Sequence, residues 1–337
     1  MLNGKTILIT GGTGSFGGYF VKTILKKYKP RKVIIYSRDE YKQLMMQRSF
    51  VGYEGILRFF LGDIRDRSRL HKAFDGVDYV VHAAALKQVP ALEYNPTEAV
   101  KTNVIGADNV VDAATEKGVQ KVINLSTDKA VNPINLYGAT KLVAEKIFVA
   151  ANSYVGGKVK FSGVRYGNVI GSRGSVIPIF LGLKAAGIKE FPITDPQMTR
   201  FWISLDQSVE LVIRALQEAE GGEIFVPKIP CMKIKNLAKA IDPECTFSYT
   251  GIRPGEKLHE SLISDDEARN AIEFNDVYVI LPQAFDTTPH AFDTTIRLDK
   301  YNKYPAVPDG FVLRSDNSNM LLDREELREL VGSLEVG

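Results

Sequence analysis

The stretch KTILITGGTGSFGGYF, Lys5 to Phe20, decides the fold. A run of β-branched residues, TILIT, breaks at a glycine-rich turn, and the turn opens into an amphipathic pattern, GGYFVKTILKKY. Gly11, Gly14 and Gly17 stand three residues apart, with Thr13, Ser15 and Phe16 between them. Glycine permits the tight turn and lets the backbone come close to a pyrophosphate, while the helix N-terminus offers N–H groups and a partial positive charge. Strand before and helix after raise this above a plain glycine turn, and the expectation is dinucleotide binding.

Working outward, the same alternation repeats. KVIIYS, LRFFLGD, DYVVHAAA, KVINLS and KFSGVRYGN read as buried strands, separated by amphipathic stretches such as RSRLHKAF and TNVIGADNVVDAATEKG. Strand and helix in turn imply a parallel sheet covered on both faces. The fold class expected is α/β, a Rossmann-type doubly wound parallel sheet over residues 1–170. A smaller mixed α/β substrate lobe and a tail follow over 171–337, with some exchange of strands and helices between the two. The closing LLDREELRELVG reads as a structural helix led by an Asp cap.

The composition narrows the class. The chain has 337 residues, 45% of them hydrophobic, and a net charge of only +3, so no nucleic-acid partner is expected. The basic run KKYKPRK reads as a helix end and turn. No apolar run approaches ~18 residues, so no membrane span is expected. Met1 to Gly12 reads as a strand entering a turn rather than a leader. Cys231 and Cys245 are too few for a disulfide framework and lack zinc spacing. The expectation is a cytoplasmic protein without metal. His82, at the end of an apolar strand, is expected in the core.

The end of the second strand bears on the cofactor. In YSRDEYK, Ser37 and Arg38 stand about 20 residues past the last glycine, where an acidic residue would bond the ribose of NAD. Arginine suits a 2′-phosphate, so NADP is expected. Asp39 and Glu40 follow directly, so NAD stays possible, and a surface arginine beside acids is the plain alternative. Asp63, ending the third strand, either accepts from the adenine amino group or caps the next helix.

Chemistry concentrates in NLSTDKAVNPINLYGATKLVAEK, Asn124 to Lys146. Ser126 and Thr127 end the fifth strand. Tyr137 and Lys141 are four residues apart on the following helix and share a face. A lysine ammonium near a phenol lowers its pKa, so Tyr137 is suited to take a proton from a sugar hydroxyl while hydride leaves the same carbon. A Ser/Thr hydroxyl would hold that hydroxyl in place.

Together, GGTGSFG, YSRDE, GDIRD, HAAALKQVP, STDKA, NLYGATK, RYGNVIGSRGSV, MTRFWIS, EIFVPK and GIRPGEKLHE make the chain resemble the extended short-chain dehydrogenases/reductases over nearly its whole length. Within them it is similar to the nucleotide-sugar 4,6-dehydratases, most of all to the configuration-inverting UDP-N-acetylglucosamine type of pseudaminic acid synthesis. The resemblance implies UDP-N-acetylglucosamine as substrate and an internally recycled NADP. It also implies a homo-oligomer, and Thr127, Asp128, Lys129, Tyr137 and Lys141 as the catalytic set. Oxidation at C4 acidifies the C5 hydrogen. A base removes that hydrogen, an acid protonates the C6 hydroxyl, and water leaves. Glucose-type dehydratases use Asp-Glu for this; here the pair is Asp128, read as the acid, and Lys129, read as the base. A lysine base must be neutral when it acts, and an ionised Asp128 opposes that. A surface ion pair is the plain alternative.

The resemblance also implies that Lys42, Ile64, Ala83, Ala84, Lys87 and Ser126 meet the cofactor. Lys87, Asn168, Arg173, Val176, Arg200, Arg253 and Glu256 are implied on the substrate side. Guanidinium groups suit a diphosphate through bidentate bonds. Asn168 is alternatively a turn residue, Glu256 a helix cap, and Trp202 a core residue rather than a base-stacking one. A 4-epimerase would need Tyr137, Lys141 and Thr127 but leave Asp128 and Lys129 idle. A retaining dehydratase is a further rival, and a non-enzymatic NADP-binding regulator a remote one.

Overall fold

The computed structural model describes residues 1–171, 175–282, 300–317 and 319–335. The β-branched runs become β1 (Thr6–Thr10), β2 (Lys32–Ser37), β3 (Leu57–Leu61), β4 (Tyr79–His82), β5 (Lys121–Leu125) and β6 (Lys160–Val164). They pair in parallel in the order β3-β2-β1-β4-β5-β6. Strand order therefore reverses beside β1, and the crevice at that switch point is where open α/β sheets hold ligands.

The sheet continues past β6. Ile224–Pro227 joins it in parallel, and the hairpin Ala271–Phe274 with Val277–Ile280 closes the edge antiparallel, giving nine strands. Asn275 turns that hairpin with φ of 59°, a conformation Asn tolerates better than most residues. The sheet is thus doubly wound and mainly parallel, with an antiparallel edge that the sequence reading does not anticipate.

Apolar residues fill both faces. One layer packs α1 (Ser15–Lys27) and the Leu205–Glu218 helix against β1, β2 and their neighbours; the other packs the helices Gly106–Lys117 and Leu136–Tyr154. A third cluster, around Phe180, Phe191 and Trp202, belongs to the segments after the sixth strand. The Arg324–Glu335 helix folds back on the Ile234–Ile241 helix and buries Leu327 and Val331 in that cluster. Its cap is Asp323, whose carboxylate accepts from the Glu325 and Glu326 N–H groups. Trp202 lies in the core at 1% exposure, and His82 is equally buried, its Nδ1 2.8 Å from the Thr10 hydroxyl.

Candidate active site

The C-terminal ends of β1, β2, β4, β5 and β6 open on a cleft of about 840 Å³, within the range of small-molecule sites. Its floor is the glycine loop. A Cβ on Gly11 would come within 2.9 Å of the Ala84 backbone, and one on Gly17 within 2.6 Å of Gly12. Both positions need glycine for close packing of loop, strand and helix. Gly11, Thr13, Gly14, Ser15, Phe16 and Gly17 all line the cleft, joined by Ile64, Ala83, Ala84 and Ser126.

At the β2 end, Ser37, Arg38, Asp39 and Lys42 line the same cleft. Asp39 is the N-cap of α2 (Glu40–Ser49) and accepts from the Lys42 N–H at 2.9 Å. Its carboxylate also pairs with the Lys42 amine. Glu40 opens the helix, exposed and outside the cleft lining. Asp63 also lies outside the lining: it holds Arg65 through its side chain and backbone, with Arg38 at 3.5 Å.

The turn after β5 builds the reactive end. Asp128–Ala130 forms a single 3-10 turn, and the Leu136–Tyr154 helix starts from an Asn135 cap. Gly138 brings turn and helix together: a Cβ there would sit 2.0 Å from the Lys129 carbonyl oxygen. This approach sets Lys129 against the helix end that carries Tyr137. Thr127, Asp128, Lys129, Tyr137 and Lys141 all line the cleft. Asp128 is fully buried; its Oδ1 accepts from the Thr127 hydroxyl at 2.8 Å and from the Lys129 amine at 3.1 Å.

The electrostatics depart from the sequence expectation at two points. The Tyr137 pKa is raised, not lowered as expected: burial outweighs Lys129 and a Thr127 hydrogen bond, which pull it down, and Asp128 adds to the rise. The cation acting on the phenol in this structure is therefore Lys129, because the Gly138 contact draws the turn onto the helix. The Lys141 amine is itself lowered to about 8 by burial, with Glu145 opposing. Burial also lowers Lys129, but Asp128 and Glu260 outweigh it and the net shift is upward. Lys129 stands here as an ammonium in an ion pair, not as the free amine a base requires.

Glu260 was missed by the sequence reading. It belongs to GIRPGEKLHE, more than a hundred residues from the catalytic segment, and its Oε1 lies 3.4 Å from the Lys129 amine. Asn103 was also missed. It sits in a π-turn, Val100–Ile105, where its side chain bonds both backbone groups of Leu86 and the Thr140 hydroxyl, tying the loop after β4 to the Leu136–Tyr154 helix.

The expected substrate residues divide. Lys87 and Asn168 line the cleft; Lys87 is solvent-exposed overall, yet burial and then Lys129 lower its pKa. Val176 begins the next helix, beside Ser175, which lines the cleft. Arg200 is 6% exposed and donates to the carbonyls of Thr199, Lys257 and Leu258, and it is outside the cleft lining. Arg253 and Glu256 bond each other at 3.0 Å on a loop that Asn135 holds through the Gly255 carbonyl. Arg173 lies outside the described residues.

Ser126 Oγ, Asp128 Oδ2, Asn168 Oδ1 and Ser175 Oγ are buried without a hydrogen-bond partner among the described residues, and all four residues line the cleft. Buried polar atoms are normally paired, so these groups suit polar ligands, and the glycine cradle fits a dinucleotide. Among the described residues no cluster of metal-binding side chains occurs.

Residues 7–282 match the model of the family described as polysaccharide biosynthesis protein. The chain belongs to this family. A relative from Campylobacter jejuni, named UDP-N-acetylglucosamine 4,6-dehydratase (inverting), is 52% identical over 336 residues and 99% of both chains. Another member-like relative, from Rickettsia massiliae and named UDP-glucose 4-epimerase, is 46% identical over 284 residues, 82% of each chain. The X-ray structure of Pen from Bacillus thuringiensis superposes with a TM-score of 0.87 at 36% identity, covering 98% of this chain and 99% of that one. The resemblance read from the sequence therefore extends over nearly the full length of this family member.

Proposed function

We propose that this chain is a UDP-N-acetylglucosamine 4,6-dehydratase that inverts C5, giving the 4-keto-6-deoxy sugar of L-arabino configuration. The observation that carries the reading is the Asp128–Lys129 ion pair, its carboxylate fully buried, lining the cleft beside Tyr137. Open α/β sheets place their ligands at the C-terminal ends of the strands, where this pair lies, and both side chains line the cleft.

Tyr137 takes the proton of the C4 hydroxyl, which Ser126 and Thr127 hold. A bound nicotinamide supplies the place where hydride is kept between its departure from C4 and its return to C6. Asp128 protonates the leaving C6 hydroxyl; Lys129 takes the C5 proton and gives a proton, exchangeable with solvent, back to C5 on the opposite face. The ion pair becomes this acid and base when one proton crosses the 3.1 Å from the Lys129 amine to Asp128. Side-by-side placement thus creates both groups in one step, without drawing protons from solvent.

The dinucleotide would be held by the glycine loop, by Ile64, Ala83, Ala84 and Ser126, and by Lys141. We favour NADP, because Arg38 and Lys42 both line the β2 end, and Asp39, which lines it too, already engages its carboxylate in the α2 cap and with the Lys42 amine. Lys87 and Asn168 would meet the sugar nucleotide. We place the protein in the cytoplasm as a homo-oligomer serving pseudaminic acid or a related surface sugar. Among the described residues no helix is long and apolar enough to cross a membrane.

The Rickettsia relatives favour a second reading, 4-epimerisation. It would use Tyr137, Thr127 and Lys141 alone. NMR of the purified protein with UDP-N-acetylglucosamine in heavy water separates the two. A 6-deoxy-4-keto product with deuterium at C5 and L-arabino configuration is expected. A UDP-N-acetylgalactosamine product would replace this reading with the epimerase, and a D-xylo ketone would keep dehydration and remove inversion.

A further inference from the structure

Glu260 is a carboxylate that the mechanism above leaves unused. Its side chain is 3% exposed, its Oε1 lies 3.4 Å from the Lys129 amine, and its Oε2 lies 3.8 Å from the Lys257 amine. Oε2 has no hydrogen-bond partner among the described residues. The residue lies outside the cleft lining, so it reaches the reaction only through Lys129. It is not loosely placed. Its N–H donates to the Ser315 hydroxyl at 3.0 Å, and its carbonyl accepts from the Ser315 N–H at 2.9 Å.

Resting on the dehydratase reading, we propose that Glu260 is a positioning residue of the elimination: it retains the single proton that Asp128 and Lys129 share. The pair needs that proton in either of its two forms. As ion pair the proton is on Lys129; as acid and base it is on Asp128. Lost to solvent, it leaves Asp128 ionised and C6 without an acid. Asp128 offsets part of what desolvating the ammonium costs, and a second carboxylate offsets more of it.

The groups facing Glu260 are Lys129 and Asp128 from the turn after β5, Lys257 from its own loop, and Arg200 from the Thr199–Ile203 strand. Burial raises the Glu260 pKa and Asp128 adds to the rise, while Lys129, Arg200 and Lys257 oppose it. Its hold on the shared proton therefore exists only where Glu260 is ionised, toward neutral and alkaline pH, and vanishes in acid.

The test compares wild type, Glu260→Gln and Glu260→Asp by the pH profile of kcat/KM for dehydration. A second readout maps acetylation of Lys129 by acetic anhydride against pH, using peptide mass spectrometry. Glu260→Gln is expected to move the alkaline limb of the profile down by about one pH unit or more. At the pH where the wild-type limb begins, its rate should be about tenfold lower, with the two profiles converging in acid. Lys129 should become reactive at correspondingly lower pH. Glu260→Asp, which keeps the charge, should restore most of the limb; if Glu260→Gln does not fold, a smaller shift in Glu260→Asp carries the test. An unmoved limb in an active wild type, or an equal loss at every pH in both variants, overturns the proposal. A wild type that forms no dehydrated product refutes the functional reading instead.

Discussion

Lys141 is a lysine held 3% exposed, with its amine lowered to about 8 by burial. Its ordinary pKa is higher, so between the two values the unfolded chain binds more protons than the native one, and stability rises with pH. Below that window the buried charge costs stability in full. Lys141→Met is therefore expected to stabilise the fold by about 1–3 kcal/mol at pH 7 while abolishing turnover. Urea unfolding at pH 7 and pH 10 checks this, since the gain should shrink at the higher pH. A second expectation concerns Arg38. With Asp39 turned to its helix cap, Arg38→Ala should weaken NADP by about tenfold or more and leave NAD nearly unchanged, as read by fluorescence titration. Equal losses would mean that Arg38 meets no 2′-phosphate. At this scale the sequence was legible where spacing along one element sufficed. Tyr137 and Lys141 share a helix face, and the STDKA turn follows a strand end. Arg200 lies outside the cleft lining, in a strand whose five residues are all buried, and a lone arginine in a sequence does not announce its depth.

Elements were easier to read than their contacts. Six parallel strands followed from runs of Val, Ile and Phe, since burial on both faces selects continuous apolar runs. The hairpin Ala271–Ile280 escaped because AIEF and VYVI are short and adjoin a segment without clear period. The approach of the catalytic helix to the turn before it was legible only as a glycine. At 2.0 Å, a methyl group on residue 138 cannot coexist with the Lys129 carbonyl oxygen, so turn and helix must part. Gly138→Ala is expected to cost about 1–3 kcal/mol of stability. Turnover should fall further than that, because Lys129 and Tyr137 lie on opposite sides of the forced gap. Denaturant unfolding beside initial rates distinguishes this from a simple loss of folded protein, which would lower both in proportion.

For the molecule as a whole, Ile105, just before the Gly106–Lys117 helix, and Val143 and Tyr154 of the Leu136–Tyr154 helix are between 44% and 66% exposed. Apolar side chains left exposed on these helices suit association between copies, and light scattering is expected to give at least a dimer; a monomer would refute it. The core also joins distant parts of the chain. Arg165, at the end of β6, is fully buried and forks onto Glu145 of the catalytic helix and onto Glu267, about a hundred residues further on. Lys129 is likewise flanked by Asp128 beside it and Glu260 far along the chain. Synthesis proceeds from the N-terminus. While a growing chain ends short of these late acids, its glycine loop and the Leu136–Tyr154 helix are already made, but Lys129 and Arg165 each lack one of their two counter-charges. The last quarter of the polypeptide thus acts as a late key: a chain ending before residue 260 carries the glycine loop and the Tyr137 helix but neither of the late acids that complete the two ion pairs.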